Sequence, residues 1–468
     1  MPLSNMPATT KRRADSANVS IDRGRLAELM RGEETRFVAE RPKSKALFER
    51  AKSSMLSGVP MHWMARWAGG FPAFVAEASG AHFIDVDGHE YIDLCLGDTG
   101  AMTGHSPPAV AQAISAQARR GITSMLPTED ALWVSEELTR RFGLPFWQFC
   151  LTATDANRFS IRLARAVTNR KYVLVFNGCY HGTVDETFIA LEDGSPVSRR
   201  GNIGAPVPPT KTTKVVEFND LSALEAALAP GDVACVLAEP VMTNVGIVHP
   251  DNGFHAALRE LTRRAGTLLI IDETHTICAG SGGYTRLHGL EPDMFVIGKP
   301  IAGGVPAATY GFTADVGERV TDLIERDASD TGGIGGTLAG NALSLAAMRA
   351  TFEYVLTEDA FDRMMSLGER FEIGVEDAIA SAGLPWHVAR LGCRAEYLFQ
   401  ALPPRNGSEA LAAADPELDR FMHLYALNRG ILLTPFHMMA LMSPATTEKD
   451  VDAHTAVFES AVRELTTS

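Results

Sequence analysis

Cysteine is scarce in this chain: six in 468 residues, at Cys95, Cys150, Cys179, Cys235, Cys278 and Cys393, with no CxxC pair among them. Wide spacing within mostly apolar runs argues against a disulfide framework and for reduced, buried thiols, which implies a cytoplasmic protein. Long apolar runs are missing too. None approaches the ~18–20 uninterrupted residues of a membrane-spanning helix. The opening stretch MPLSNMPATTKRRADSANVS has basic residues but no apolar core, so it reads as a mobile arm and not as a secretory signal. Positive charge is in deficit, 43 Lys and Arg against 57 Asp and Glu, for a net charge of −14. That balance, with no basic stretch interleaved with aromatics, makes nucleic acid a poor partner. No HExxH or comparable ligand spacing points to a metal, and there is no internal repeat or low-complexity tract.

What remains is an ordinary globular composition, 46% hydrophobic and 21% charged, on a chain long enough for two or three domains. Residues 1–44 read as an arm and a helix. Residues 45–105 form the first part of a small domain, in which Phe74 to Ala78, His82 to Asp87 and Tyr91 to Leu94 alternate with turn signals at Ser79-Gly80 and Asp87-Gly88. In residues 106–336, short apolar strands alternate with helices: Phe149 to Leu151, Tyr172 to Phe176, Lys214 to Glu217, Ala234 to Ala238, Leu268 to Ile271, Met294 to Ile297 and Ala308 to Phe312. Such alternation predicts an α/β fold with a doubly wound, mainly parallel sheet and a site at the strands' carboxyl ends. Residues 337–468 complete a small α+β domain whose chain returns to the N-terminal sheet.

Chemistry concentrates in the stretch LLIIDETHTICAGSGGYTRLHGLEPDMFVIGKPIAGG, Leu268 to Gly304. Its two Ile- and Val-rich runs, bounded by Gly and Pro, read as buried parallel strands. One delivers Asp272 to its end and the other delivers Lys299. Singly, each residue is ordinary, a helix-capping acid and a solvated loop lysine. Together at one sheet edge, they are poised to hold a heteroaromatic cation and to bond covalently to a carbonyl.

The runs IIDETHT and DMFVIGKPIAGGVP, with FIDVDGHEYIDLCLG earlier, resemble the class III pyridoxal-phosphate aminotransferases of fold-type I. The likeness is nearest to the glutamate-1-semialdehyde aminomutase and β-amino acid aminotransferase branch, and it extends from about Lys45 onward. It implies pyridoxal 5'-phosphate as cofactor and Lys299 as the catalytic residue that forms a Schiff base and moves the Cα proton in two half-reactions, within a crowded cationic site. It implies that Asp272 faces the ring nitrogen, that Tyr180 stacks on the ring, and that Thr274 presents its methyl to the opposite face. His181 is a polar neighbour of the ring, Glu239 approaches the cofactor, and His275 stands where relatives carry Met or Gln. The phosphate falls to Thr152, Ala153 and Thr154 at a helix N-terminus. Relatives have Gly where Ala153 stands, which requires that this backbone avoid positive φ. Gly335-Gly336-Thr337 is implied to reach the neighbouring subunit's cofactor, making the active unit a homodimer.

The substrate side is less legible. Arg66 and Arg394 are candidates to clamp a carboxylate. His62 occupies the place of a loop Arg in β-amino acid aminotransferases, and Trp63 and Trp67 add bulk suited to an apolar or aryl amine. The leading expectation is therefore an aminotransferase moving nitrogen from a β-amino acid or primary amine to an oxo acid. An aminomutase or an amino acid racemase or epimerase on the same fold is the alternative, and a non-catalytic cofactor-binding protein a remote one.

Overall fold

The computed structural model of the chain describes residues 20–326 and 333–467. The expected N-terminal arm lies largely outside the described residues, as do residues 327–332 of the 106–336 segment.

The centre is a seven-stranded sheet. From one edge its strands run Phe146–Cys150, Ala308–Phe312, Met294–Ile297, Leu268–Asp272, Val233–Ala238, Tyr172–Phe176 and Thr213–Val216. Only Ala308–Phe312 is antiparallel to its neighbours; the inner pairs are parallel, with Ile271 opposite Phe295 and Ile270 opposite Leu237. The two inner strands that carry the chemistry are wholly buried, as their unbroken apolar runs require, because helices cover both faces of the sheet. One such helix, Ala153–Thr168, packs against five strands on one side, and Phe254–Ala265 covers the other. The first strand begins at Phe146, earlier than expected, because all of Phe146 to Cys150 pairs with the antiparallel strand.

A second sheet joins Val75–Ser79, His82–Asp85 and Glu90–Asp93 as an antiparallel meander, and Ile431–Leu432 adds parallel to its last strand. A third joins His387–Leu391, Arg394–Leu398 and Met439–Leu441. The long helix Glu358–Ala382 lies against this third sheet and against the helix Glu448–Thr466. Ala342–Tyr354 instead packs on Pro108–Ala118 and on the turn that follows Lys299. The hairpin Ile189–Glu192 with Ser195–Ser198 escaped the sequence reading.

Candidate active site

The inner strands end together over one cavity of about 500 Å³, lined by Thr152, Ala153, Thr154, Tyr180, Gly182, Glu239, Asp272, Thr274, His275 and Lys299, with Trp63 at its mouth. Asp272 and Lys299 thus face the same space.

Asp272 closes its strand and is buried. One of its oxygens accepts from His181 Nδ1 at 2.9 Å and from Asn157 Nδ2 at 2.8 Å; the other accepts the Thr274 amide at 3.1 Å. Burial alone would raise the pKa of this carboxyl, but the His181 hydrogen bond and charge, with Thr274 and Asn157, hold it down at about 2. His181 answers in the opposite direction. Burial works against its charge, yet the Cys179 and Asp272 side chains lift it well above an ordinary histidine. His181 does not line the cavity: it stands behind Asp272 and fixes it. Asn157, which the sequence reading missed, sits one helical turn beyond Ala153 and donates to the same carboxylate.

The helix Ala153–Thr168 points its N-terminus at the cavity. Thr152 caps it, accepting the Asp155 amide at 3.1 Å, and the first amides of the helix have no partner within it. Ala153 is the first helical residue, so its φ is negative and the glycine of relatives is dispensable here. Thr154 Oγ1 accepts the Thr183 amide at 3.1 Å. Gly182, at φ 78°, lies so close that a Cβ would come 2.2 Å from Thr154 Oγ1. Gly298 similarly brings the lysine turn against Ala153, with a Cβ falling 3.1 Å from the Ala153 Cβ.

Lys299 leaves its strand at φ 52°, a left-handed conformation rare for a side-chain-bearing residue and typical of sites the surroundings over-determine. Its Nζ lies 2.8 Å from Asp98 Oδ2 and 2.7 Å from His275 Nε2. The environment is therefore not the crowded cationic one expected, since the nearest charge is a carboxylate. His275 Nε2 thus faces Lys299, while its Nδ1 lies 2.9 Å from Thr99 Oγ1 and 3.3 Å from Arg394 Nη1. Burial, and then the Lys299 charge, push His275 well below the usual histidine range, so it is neutral. Burial also raises Glu239, which accepts from the Thr243 amide at 3.1 Å and leaves Oε1 without a hydrogen bond.

The substrate candidates separate. Trp63 reaches the cavity and forms an aromatic wall, its ring 5.5 Å from both Tyr180 and Phe436. His62, Arg66 and Trp67 fall outside the lining, and Arg66 is exposed. Arg394 is buried behind His275, donating to the Thr243 carbonyl at 2.8 Å. Thr337 is exposed and is not part of this chain's cavity. Asp98 and Phe436 could not be found from local pattern, because their contacts join segments far apart in the chain.

A family model described as aminotransferase class-III matches residues 63–462. A glutamate-1-semialdehyde 2,1-aminomutase from Sorangium cellulosum is 36% identical over 431 residues, covering 90% of this chain and 96% of the relative. The crystal structure of a glutamate-1-semialdehyde aminomutase from Pseudomonas aeruginosa PAO1 superposes with a TM-score of 0.94 at 52% identity, covering 95% of this chain and 99% of that one. An omega-transaminase from Sphaerobacter thermophilus superposes with a TM-score of 0.81 at 28% identity, covering 90% and 97%.

Proposed function

Because the chain belongs to the class-III aminotransferases, we propose that it moves an amino group within a small amino-aldehyde substrate, in the manner of the aminomutases it resembles. Pyridoxal phosphate is the cofactor of this family, and the donor set fits it. A carboxylate held ionised suits a protonated ring nitrogen, and helix-terminal amides beside Thr154 suit a phosphate. The hydroxyl of Thr274 and Oε1 of Glu239 are buried without partners in the cavity that would receive the ring. The observation that carries the reading is this convergence of Asp272, Tyr180, Thr274, the capped helix and Lys299 on one cavity. The cofactor supplies a carbonyl that captures amines and a cationic ring that withdraws electrons.

The chain's own residues do the rest. Asp272, steadied by His181 and Asn157, keeps the ring nitrogen protonated. Tyr180 covers one face of the space. Lys299 would hold the cofactor through Nζ and, once free, would take up and return a proton at that nitrogen. His275, neutral and bonded to Nζ, orients that amine.

Relatives at 36% and 52% identity carry the aminomutase name, so they support intramolecular transfer over the β-amino acid transfer expected from the loop composition. One observation favours transfer between two molecules: the wall of Trp63, Tyr180 and Phe436 suits an aryl amine. The purified enzyme, given glutamate-1-semialdehyde and no oxo acid, should convert it to the isomeric amino ketone. Turnover of an aryl amine that requires an added oxo acid, with no isomerisation, would establish the second reading instead. We further propose a cytoplasmic homodimer in which the exposed Thr337 serves the partner's site; the six cysteines, all buried and unpaired, suit a reducing compartment.

A further inference from the structure

The turn Leu96 to Thr99 is unlike the other loops around the cavity. Its four residues all have positive φ: 45° at Leu96, 59° at Gly97, 51° at Asp98 and 77° at Thr99. Three of them bear side chains, which resist this conformation unless the surroundings impose it. Here they do. Asp93 Oδ1 accepts the amides of Cys95 and Leu96 at 2.9 and 2.7 Å, and the Ala101 amide returns to the Leu96 carbonyl at 2.8 Å. The outcome is that Asp98 and Thr99 aim inward together, Asp98 at the Lys299 nitrogen and Thr99 at the histidine that holds the same nitrogen. Asp98 Oδ2 takes the ammonium, while Oδ1 is buried and has no hydrogen-bond partner. Besides Lys299, the charged or titratable groups that interact with this carboxylate are His275, 4.0 Å away, His437, Tyr180 and Cys95.

We propose that Asp98 is the residue that selects the amine, holding the ammonium that enters and leaves at Lys299 and disfavouring substrates with a carboxylate on the amine-bearing carbon. The inference rests on Lys299 being the cofactor lysine. In the exchange, a bond from the substrate nitrogen to the cofactor's carbonyl carbon forms and the bond from Lys299 breaks. The incoming ammonium surrenders two protons as its nitrogen takes over the double bond, and both end on the lysine nitrogen, which is released as an ammonium. One positive charge therefore sits beside Asp98 before and after, and the carboxylate favours both states. A carboxylate two bonds from the incoming nitrogen would instead bring like charges together, an effect that shifts equilibria by about tenfold or more. Glutamate-1-semialdehyde, by its name, has an aldehyde where an α-amino acid has that carboxylate, so it meets the requirement.

The test uses the holoenzyme and two variants that tolerate left-handed backbone, Asp98→Asn and Asp98→Gly. Phenethylamine and phenylalanine differ only in the α-carboxylate, and each is followed by bleaching of the bound cofactor's visible band. Both variants should shift the rate ratio toward phenylalanine by about tenfold or more. Loss of the nearby negative charge should also move the pH midpoint of that band down by about one unit without any donor present. Unchanged ratio and midpoint in variants that take up cofactor overturn the proposal. A wild-type chain that takes up no pyridoxal phosphate overturns the underlying reading as well, which a failure confined to the variants does not.

Discussion

Lys299 Nζ and Asp98 Oδ2 lie 2.8 Å apart although 201 residues separate them in the chain. The site is thus assembled across the junction of two sheets. Its lysine comes from the end of a strand in the large sheet, and the acid that holds it comes from the turn after the small N-terminal sheet.

Lys299→Ala should remove both the anchor and the proton carrier. Turnover should fall by at least the 10²- to 10⁴-fold typical of losing a positioned acid–base group, about the limit of detection. Circular dichroism should be unchanged, since Lys299 is half-buried and its turn is held by Pro300 to Ala302. Substantial residual turnover would contradict its role.

Asp272→Asn keeps the shape but loses the charge that His181 and Asn157 stabilise. A hydrogen bond to a charged group contributes about 1.5–3 kcal/mol. Cofactor binding, measured by fluorescence titration, should weaken roughly ten- to a hundredfold.

Gly182→Ala forces a methyl onto Thr154 Oγ1 and into a backbone at φ 78°. Both effects act in the folded state, so the variant should lose about 1–3 kcal/mol of stability and hold the cofactor less tightly. Thermal unfolding with and without cofactor would measure each loss.

Trp63→Ala removes the centre of the aromatic wall. If aryl amines are substrates, their kcat/KM should drop about tenfold relative to alkyl amines, the scale of an aromatic contact. Equal losses for both donor classes would show that Trp63 serves packing alone.

His454 gives a pH test remote from the site. It is buried between Phe371 and Phe458, and burial pushes its pKa down to about 3. An unfolded histidine titrates near 6.5, so below that pH the unfolded chain takes up a proton that the folded chain refuses. Stability is full above about pH 6.5 and is lost as pH falls. Lowering pH from 7.5 to 5 should cost about 2 kcal/mol through this residue, and His454→Phe should abolish that part of the loss in denaturant titrations.

Much of this architecture was legible because it is local. Tyr172 to Phe176 and Met294 to Ile297 are apolar runs with β-branched residues, cut off by turn residues, and they form strands at the expected positions. Asp272 and Lys299 were legible for the same reason, as polar residues that end such runs. Asp98 was not: its backbone conformation depends on Asp93 and Ala101, and its function on a lysine in another sheet. Asn157 was half-legible, since helical spacing from Ala153 puts it on the cavity face, but its partner could be named only from tertiary structure. The neutral state of His275 is likewise a product of packing, because burial decides it and no neighbouring residue in sequence does.

The pairing of Ile431 and Leu432 with Ile92 and Asp93 has a consequence for biosynthesis. The early meander is left with an unpaired flank until a much later part of the polypeptide has been made. A nascent chain therefore carries open backbone donors and acceptors on that flank throughout synthesis of the central sheet, inviting pairing with another nascent chain. Chaperone dependence and aggregate formation during rapid expression should accordingly track this flank, and not the catalytic centre.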